Sequence, residues 1–211
     1  KAIPAPSTAK GYQKMWDKLD QKEWGSADVS LSVPLSDGRV LWLYGDTTSE
    51  DNGFVHSTAI VQTGGRVHVS NGGKQLLPND PDLKGRESIY WISDAKAVGS
   101  NKVKVTAAPM SIGKKGVWDF RRRSILDRVA LVKVDPDGDV HFVRWLTWVE
   151  GPHGFADLSE NGDKINYEHR AHPEAKLKSG KILMTYNQND PTSVEFPRNP
   201  DGSYDLTTNR P

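Results

Sequence analysis

Apolar and polar residues alternate with period two along residues 28–46, on both sides of a short polar turn. The turn, Ser36-Asp37-Gly38-Arg39, has the composition of a β-hairpin loop, in which Gly38 is free to adopt a positive φ. The pattern predicts two antiparallel strands with an aspartate at each open end of the hairpin.

Two registers of this hairpin fit the sequence. A loop over 36–38 places Asp28 opposite Asp46, whereas a loop over 37–38 places Asp46 opposite Val29, on the other face from Asp28. Both registers give apolar cross-strand pairs. In either, the two carboxylates share one end of a hairpin whose strands lie about 5 Å apart.

The proximity of Asp28 and Asp46 suggests acid and base chemistry. Two neighbouring carboxylates repel each other, and one then tends to retain its proton at neutral pH, as glycosidic bond cleavage requires. A separation of about 5 Å between the carboxyls indicates a retaining mechanism, and about 6.5–9.5 Å an inverting one. The alternative is that each aspartate caps the end of a strand.

Glycine-containing turns also separate apolar stretches further along the chain, and the predicted turns lie at 63–66, 99–101, 135–139 and 178–181, with one further turn at 199–204. Such repeated antiparallel units predict an all-β fold. The long polar loops between them favour a five-bladed β-propeller, with about 42 residues per blade, over a sandwich or barrel. Asp135, Asp137 and Asp139 resemble the start of a calcium loop, but Gly138 is misplaced, so this segment is interpreted as a turn.

Two units are predicted along the chain. Residues 1–24 form an N-terminal arm or lid, in which 1–11 are extended and 12–24 form a short helix or a loop over the first strand. Residues 25–211 form a single β-propeller domain.

The composition excludes several classes of function. Twenty-eight lysines and arginines against 27 acids give a formal charge of +1, so the overall charge does not favour nucleic acid as a partner. The absence of cysteine excludes disulfides, thiolate zinc sites and cysteine nucleophiles. No apolar run reaches the roughly 18 residues of a membrane span. No fingerprint of acyl, phosphoryl or hydride transfer occurs, and we expect neither a cofactor nor a metal.

The segment Ser32 to Thr47, which ends in Trp-x-x-Gly-Asp-Thr, resembles the opening blade of five-bladed propeller glycoside hydrolases. It is most similar to the endo-D-arabinanase family of actinobacteria and their phages, glycoside hydrolase family 183, formerly a domain of unknown function. Tyr90-Trp91 and the stretch from His172 to Asn189 agree further with this family. This chain is shorter than typical members, so a shortened blade is expected.

The resemblance implies hydrolysis of α-linked D-arabinofuranose chains, as found in mycobacterial arabinogalactan and lipoarabinomannan. The two catalytic aspartates fall on Asp28 and Asp46. A secreted or phage-associated monomer acting on a polysaccharide is expected. The alternatives are a non-catalytic glycan-binding propeller, such as a phage or cell-surface adhesin, and a structural role in a virion or envelope.

Further candidates for substrate binding are polar residues of other predicted blades, which can meet at a propeller axis. They are His56, Asp127, His153 and either His169 or His172, of which His172 is favoured because it precedes a predicted strand. For each histidine a structural hydrogen bond is the alternative. Trp91 and Trp118 are predicted sugar platforms, while Trp42, Trp145 and Trp148 lie inside predicted strands and are expected in the core.

Overall fold

The computed structural model describes residues 3–83, 88–112, 120–124, 126–150, 159–161 and 164–189. These residues form an all-β protein with one α-helix, α1 (Ala9–Trp16), and one 3-10 helix (Ser70–Gly73). The strands, in chain order, are β1 (Ser26–Ala27), β2 (Leu31–Pro34), β3 (Val40–Tyr44), β4 (Thr47–Ser49), β5 (Gly53–Val55), β6 (Thr58–Thr63), β7 (Arg66–Val69), β8 (Ile89–Ala97), β9 (Lys102–Ile112), β10 (Phe120–Arg122), β11 (Asp127–Val134), β12 (Val140–Val149), β13 (Ser159–Asn161), β14 (Lys164–His172) and β15 (Leu183–Asn189). In this described part of the chain, no helix has the length and apolarity needed to cross a membrane.

The strands form four antiparallel sheets, named A to D here. Sheet A has the order β1-β4-β5, and sheet B has the order β2-β3-β6-β7. Sheet C has the order β8-β9-β11-β12, and β10 pairs with the C-terminal end of β9. Sheet D has the order β13-β14-β15. Over the described residues these sheets are separate and do not close into a ring.

The structure selects one of the two hairpin registers. Leu31 pairs with Leu43 and Val33 with Leu41, which leaves 36–38 as the loop. Gly38 has a φ of 84°, as its place in the turn requires. The prediction of antiparallel strands on both sides of this turn is confirmed.

The other predicted hairpins within the described residues are confirmed as well. Turns at Gly64-Gly65, at 98–101, at 135–139 and at 173–182 connect strands that pair with each other, and the last of these connections is longer than the turn predicted at 178–181. The backbone N–H of Asp135 donates to the Asp139 carbonyl, so the acidic segment is a hairpin turn. The predicted turn at 199–204 lies outside the described residues.

The main hydrophobic core lies between sheets B and C. Sheet B contributes the side chains on one face of β2, β3 and β6, including the fully buried Leu41 and Leu43. Sheet C contributes alternate residues of β9 and β11, such as Val103, Val105 and Val132. These strands are rich in β-branched residues, which pack well on a pleated surface.

A second core covers the opposite face of sheet B. Trp42, Tyr44 and Ile60 pack there against Tyr12 and Met15 of α1, and Ala175 and Leu183 beside sheet D belong to the same cluster. Thr8 caps the N-terminus of the helix, because its side-chain oxygen accepts a hydrogen bond from the Gly11 N–H. The helix therefore starts inside the segment predicted to be extended and ends before Trp24.

Sheet B is consequently buried on both faces. Four consecutive residues of β3, from Leu41 to Tyr44, are buried, and five consecutive residues of β6 are buried as well. A sheet with one solvated face would show alternation instead. Sheet B therefore lies in the middle of a stack, between sheet C on one side and α1 with the sheet D region on the other.

A buried arginine joins the loop after the 3-10 helix to sheet C. Arg128, 6% exposed, places its Nε 2.6 Å from Oδ2 of Asp80, which is 2% exposed. Its Nη2 donates to Asp82 over 2.8 Å, and its guanidinium lies 4.8 Å from the ring centroid of Trp148. The loop is thus held by a desolvated ion pair, whose partners depend on each other for compensation of charge.

Candidate functional site

Asp28, Asp46 and His56 form one cross-strand row, which we call the acid row. In sheet A, Ala27 pairs with Thr47 and Thr47 pairs with Val55. Continuing both registers by one residue places Asp28 opposite Asp46, and Asp46 opposite His56. Asp28 and His56 directly follow β1 and β5, and Asp46 directly precedes β4, so the three residues meet at one end of sheet A.

All three strands break at this level. The chain passes from β1 to β2 through 28–30, from β3 to β4 through Gly45-Asp46, and from β5 to β6 through His56-Ser57. Val29 has a φ of 51°, in the left-handed region that a β-branched residue seldom occupies. Such a conformation costs about 1–3 kcal/mol and is typical of functional sites.

Hydrogen bonds hold the two aspartates at the break. The Asp28 N–H donates to the Asp46 carbonyl over 2.9 Å, and the Gly45 N–H donates to the Asp28 carbonyl over 2.8 Å. The Asp46 N–H donates to Oδ1 of Asp28 over 2.7 Å. A Cβ at Gly45 would lie 2.5 Å from that same Oδ1, so a side chain at this position would displace the Asp28 carboxylate.

His56 orients the carboxylate of Asp46. The His56 Nδ1–H donates to Oδ1 of Asp46 over 2.8 Å. The His56 side chain is 10% exposed, and its ring makes an edge-to-face contact with Phe54, with ring centroids 4.9 Å apart. The imidazole is therefore fixed on one side by a carboxylate and on another by an aromatic ring.

Buried hydroxyl groups support the row from behind. Oγ1 of Thr47 lies 2.8 Å from Oγ1 of Thr58, which joins sheet A to sheet B next to Asp46. The backbone N–H of Leu77 donates to Oγ of Ser57 over 3.0 Å, so the loop at 75–77 packs behind His56. These contacts fix the positions at which the strands separate.

The acid row can transfer protons to and from a bound molecule. Asp28 and Asp46 are both partly exposed, and the side chain of Asp46 is 16% accessible. Within the described residues, Oδ2 of Asp46 has no hydrogen-bond partner. Two carboxylates and an imidazole within one row provide the groups needed for general acid and base catalysis. In the described part of the chain, no three histidine or acidic side chains are grouped so as to hold a metal ion.

His172 lies elsewhere, in the packing between sheets B and D. It is fully buried, its Nδ1 lies 2.5 Å from Oγ of Ser32 and its Nε2 lies 2.7 Å from Oγ1 of Thr185. Its ring packs on Trp42 with centroids 4.8 Å apart. His172 therefore makes structural hydrogen bonds, which was the alternative to a role in substrate binding, because a fully buried side chain does not contact substrate.

The burial of His172 predicts a dependence of stability on pH. Desolvation lowers the pKa of His172 below its ordinary value of 6.5, although Glu174 opposes this effect. The unfolded chain takes up a proton as the pH falls through about 6.5, while the folded chain resists protonation. The contribution of His172 is therefore complete above that pH and is lost as the pH falls towards the lower pKa of the folded state.

We expect His172→Gln to destabilise the fold by roughly 2–4 kcal/mol at pH 7.5 through the loss of packing and hydrogen bonds. Urea unfolding of both proteins at pH 7.5, 6.5 and 5.5 measures this difference. The difference in free energy of unfolding between the wild type and His172→Gln should become smaller as the pH falls. A constant difference across the three pH values would contradict the assignment of a neutral, buried imidazole.

The structure places Asp127 and Trp91 in sheet C. Asp127 begins β11, is 2% exposed and accepts a hydrogen bond from Oγ of Ser93 over 3.1 Å. Trp91 is partly buried on β8, against Ile89 and Met110. Asp127 is thus buried and Trp91 is partly covered by its own sheet, whereas the sequence predicted open sugar-binding side chains at both positions.

Three sequence candidates fall outside this description. His153 and Trp118 lie outside the described residues, and only the backbone of His169 is described. Among the tryptophans predicted to belong to the core, Trp42 is 1% exposed, and Trp145 and Trp148 are partly buried beside Arg128.

Residues 10–141 match the profile of a family described as a domain of unknown function, DUF5005. Because the match takes in more than half of the chain, the protein belongs to this family. No curated protein matches the chain.

Among solved structures, the chain is similar to the crystal structure of a "putative hydrolase" from Bacteroides ovatus. The identity is 14% and the TM-score 0.47, over 96% of this chain and 58% of that protein. The chain thus corresponds to little more than half the length of the protein it matches.

Proposed function

We propose that this protein is a glycoside hydrolase that cleaves α-D-arabinofuranosyl linkages of mycobacterial-type arabinan, with Asp28 and Asp46 as its catalytic pair. The observation that carries the proposal is the acid row, in which the two aspartates face each other at a break in the strands. The resemblance of residues 32–47 to endo-D-arabinanases supplies the substrate class.

The geometry of the row supports a division of labour. One aspartate acts as general acid on the glycosidic oxygen, and the other acts as nucleophile or as base towards water. Asp46 is held by His56 through one oxygen, and its second oxygen points away from this bond. His56 is a positioning residue in this scheme, because it fixes the carboxylate of Asp46.

We further propose that sheets B, C and D are blades of a β-propeller. Burial of sheet B on both faces supports this proposal, because each blade of a propeller packs between two neighbours. Sheets B and C each contain a four-stranded antiparallel meander, as a blade does. The acid row would then lie where β2, the first strand of a blade, begins.

A glycan-binding protein without activity is the second candidate. The hydrogen bond from the Asp46 N–H to the Asp28 carboxylate favours it, since this carboxylate then has a structural task at the strand break. Polar side chains at the site would bind sugar hydroxyls without catalysing a reaction. The two candidates differ in whether the sugar chain is shortened.

Incubation with D-arabinan prepared from mycobacterial arabinogalactan tests the proposal. We expect oligosaccharides to be released, as detected by reducing-end assay and mass spectrometry. L-arabinan and a galactan serve as matched controls and should remain intact. Retention of D-arabinan in an affinity gel without any release of oligosaccharide would instead favour the glycan-binding protein.

A further inference from the structure

A second cross-strand row lies next to the acid row. Ser26 pairs with Thr48 and Thr48 pairs with Phe54 in sheet A. Each member stands two positions along its strand from a member of the acid row: Ser26 from Asp28, Thr48 from Asp46 and Phe54 from His56. Because side chains two positions apart share one face of a sheet, both rows face the same side.

The second row is open to solvent. Ser26 and Thr48 are exposed, and their hydroxyl oxygens lie 2.7 Å apart. Phe54 is 50% exposed, and it is the only aromatic residue among the exposed large hydrophobic residues of the described chain. The other described aromatic side chains are buried or partly buried in the cores or within the sheets.

The chemistry of this row fits a sugar ring. An aromatic ring offers a flat apolar surface for the C–H groups on one face of the sugar. The paired hydroxyls of Ser26 and Thr48 can donate to, and accept from, the hydroxyls at the edge of the same ring.

We infer that Ser26, Thr48 and Phe54 form a glycan-contact strip beside the acid row, with Phe54 as the stacking platform for one furanose ring of the substrate. The inference rests on the proposed function and names the subsite of that same centre. The contact between Phe54 and His56 places this platform beside the residue that orients Asp46.

A purely structural role for Phe54 predicts a different result. If Phe54 only supports the His56 ring, its loss disturbs Asp46 and lowers kcat. If Phe54 stacks on the substrate in both the ground state and the transition state, its loss raises KM and leaves kcat nearly unchanged. The split between kcat and KM therefore separates the two roles.

The experiment uses Phe54→Leu, which keeps apolar bulk beside His56 but removes the flat ring, together with Phe54→Ala and Phe54→Trp. For D-arabinan hydrolysis we expect KM to rise about three- to tenfold in the leucine and alanine variants, with kcat within twofold of wild type. Phe54→Trp should retain the wild-type KM. Val143→Ala, at an equally exposed apolar residue (46%) on β12, is the matched control and should change neither constant.

Affinity electrophoresis in gels containing D-arabinan measures binding independently of turnover. If D-arabinan retards the wild-type protein but not Phe54→Leu, the glycan-contact strip is supported. If the wild-type protein binds D-arabinan in this way but does not cleave it, the strip is supported and the hydrolase proposal is overturned. Turnover with an unchanged KM in Phe54→Leu, or with a fall in kcat alone, overturns the strip and leaves the hydrolase proposal intact. A wild-type chain that neither binds nor cleaves D-arabinan overturns both.

Discussion

Replacing Asp28 or Asp46 by asparagine is expected to lower kcat for D-arabinan hydrolysis by about 10²–10⁴-fold, because each variant removes a group that transfers a proton or attacks the sugar. Asparagine keeps the size of the side chain and a carbonyl oxygen that can accept the Asp46 N–H. The fold should therefore survive in both variants. Oligosaccharide release measures the effect, and the far-ultraviolet circular dichroism spectrum checks the fold.

Two further variants delimit this effect. Asp51→Asn changes an exposed aspartate in the loop between β4 and β5, and this variant should retain full activity. His56→Asn keeps an amide N–H donor at the place of Nδ1, so we expect a smaller loss of activity than with Asp46→Asn. Near-wild-type release of oligosaccharides by Asp28→Asn or Asp46→Asn would remove the catalytic pair from the proposal.

Arg128→Met is expected to destabilise the protein by about 3–5 kcal/mol, since it leaves the Asp80 carboxylate buried without a compensating charge. The variant also loses the contact of the guanidinium with Trp148. Equilibrium unfolding in urea gives the free energy of unfolding of both proteins. Arg128→Lys should recover only part of the loss, because an ammonium group lacks the planar fork that bonds Asp80 and Asp82 together.

Lys133→Met provides the control on the same strand. Lys133 pairs with Asp135 at the surface, where solvent screens the interaction. Lys133→Met should therefore lower the free energy of unfolding far less than Arg128→Met does. The double variant Asp80→Asn with Arg128→Met removes the orphaned charge and should regain stability relative to Arg128→Met alone. Equal losses for Arg128→Met and Lys133→Met would show that the buried pair is not the main attachment of the loop.

The hairpins could be predicted from sequence because their signals are local. Period-two alternation and glycine turns defined the strands around Ser36–Gly38, around Gly64 and around Asp135–Asp139. The helix was placed too late, since Thr8 caps it from within a segment that contains prolines and small residues. The buried pair of Asp80 and Arg128 joins a loop to a strand far along the chain, and no local pattern indicates it.

The acid row could be predicted only in part. Sequence brought Asp28 and Asp46 to one end of a hairpin but left the register open, because both registers gave apolar pairs. The pairing of Asp46 with His56 depends on the second loop, at 50–52, which joins β4 to β5. Predicting a hairpin over 47–55 about this loop would have placed His56, already a candidate, opposite Asp46, and would have placed Phe54 beside it. Burial of His172 depends on contacts between sheets, which alternation does not encode.

Two short loops act as spacers for the acid row. The loops at 36–38 and 50–52 each contain three residues, and these lengths set the pairings that bring Asp28, Asp46 and His56 to one level. The first lies eight residues from the row along each strand, which corresponds to at most about 26 Å at the rise per residue of a strand. One residue added to it would turn Asp46 to the opposite face, whereas a change of residue type at constant length would leave the alignment intact. The lengths of these two loops therefore determine the alignment of the two carboxylates and the imidazole, although the loops are not part of the acid row.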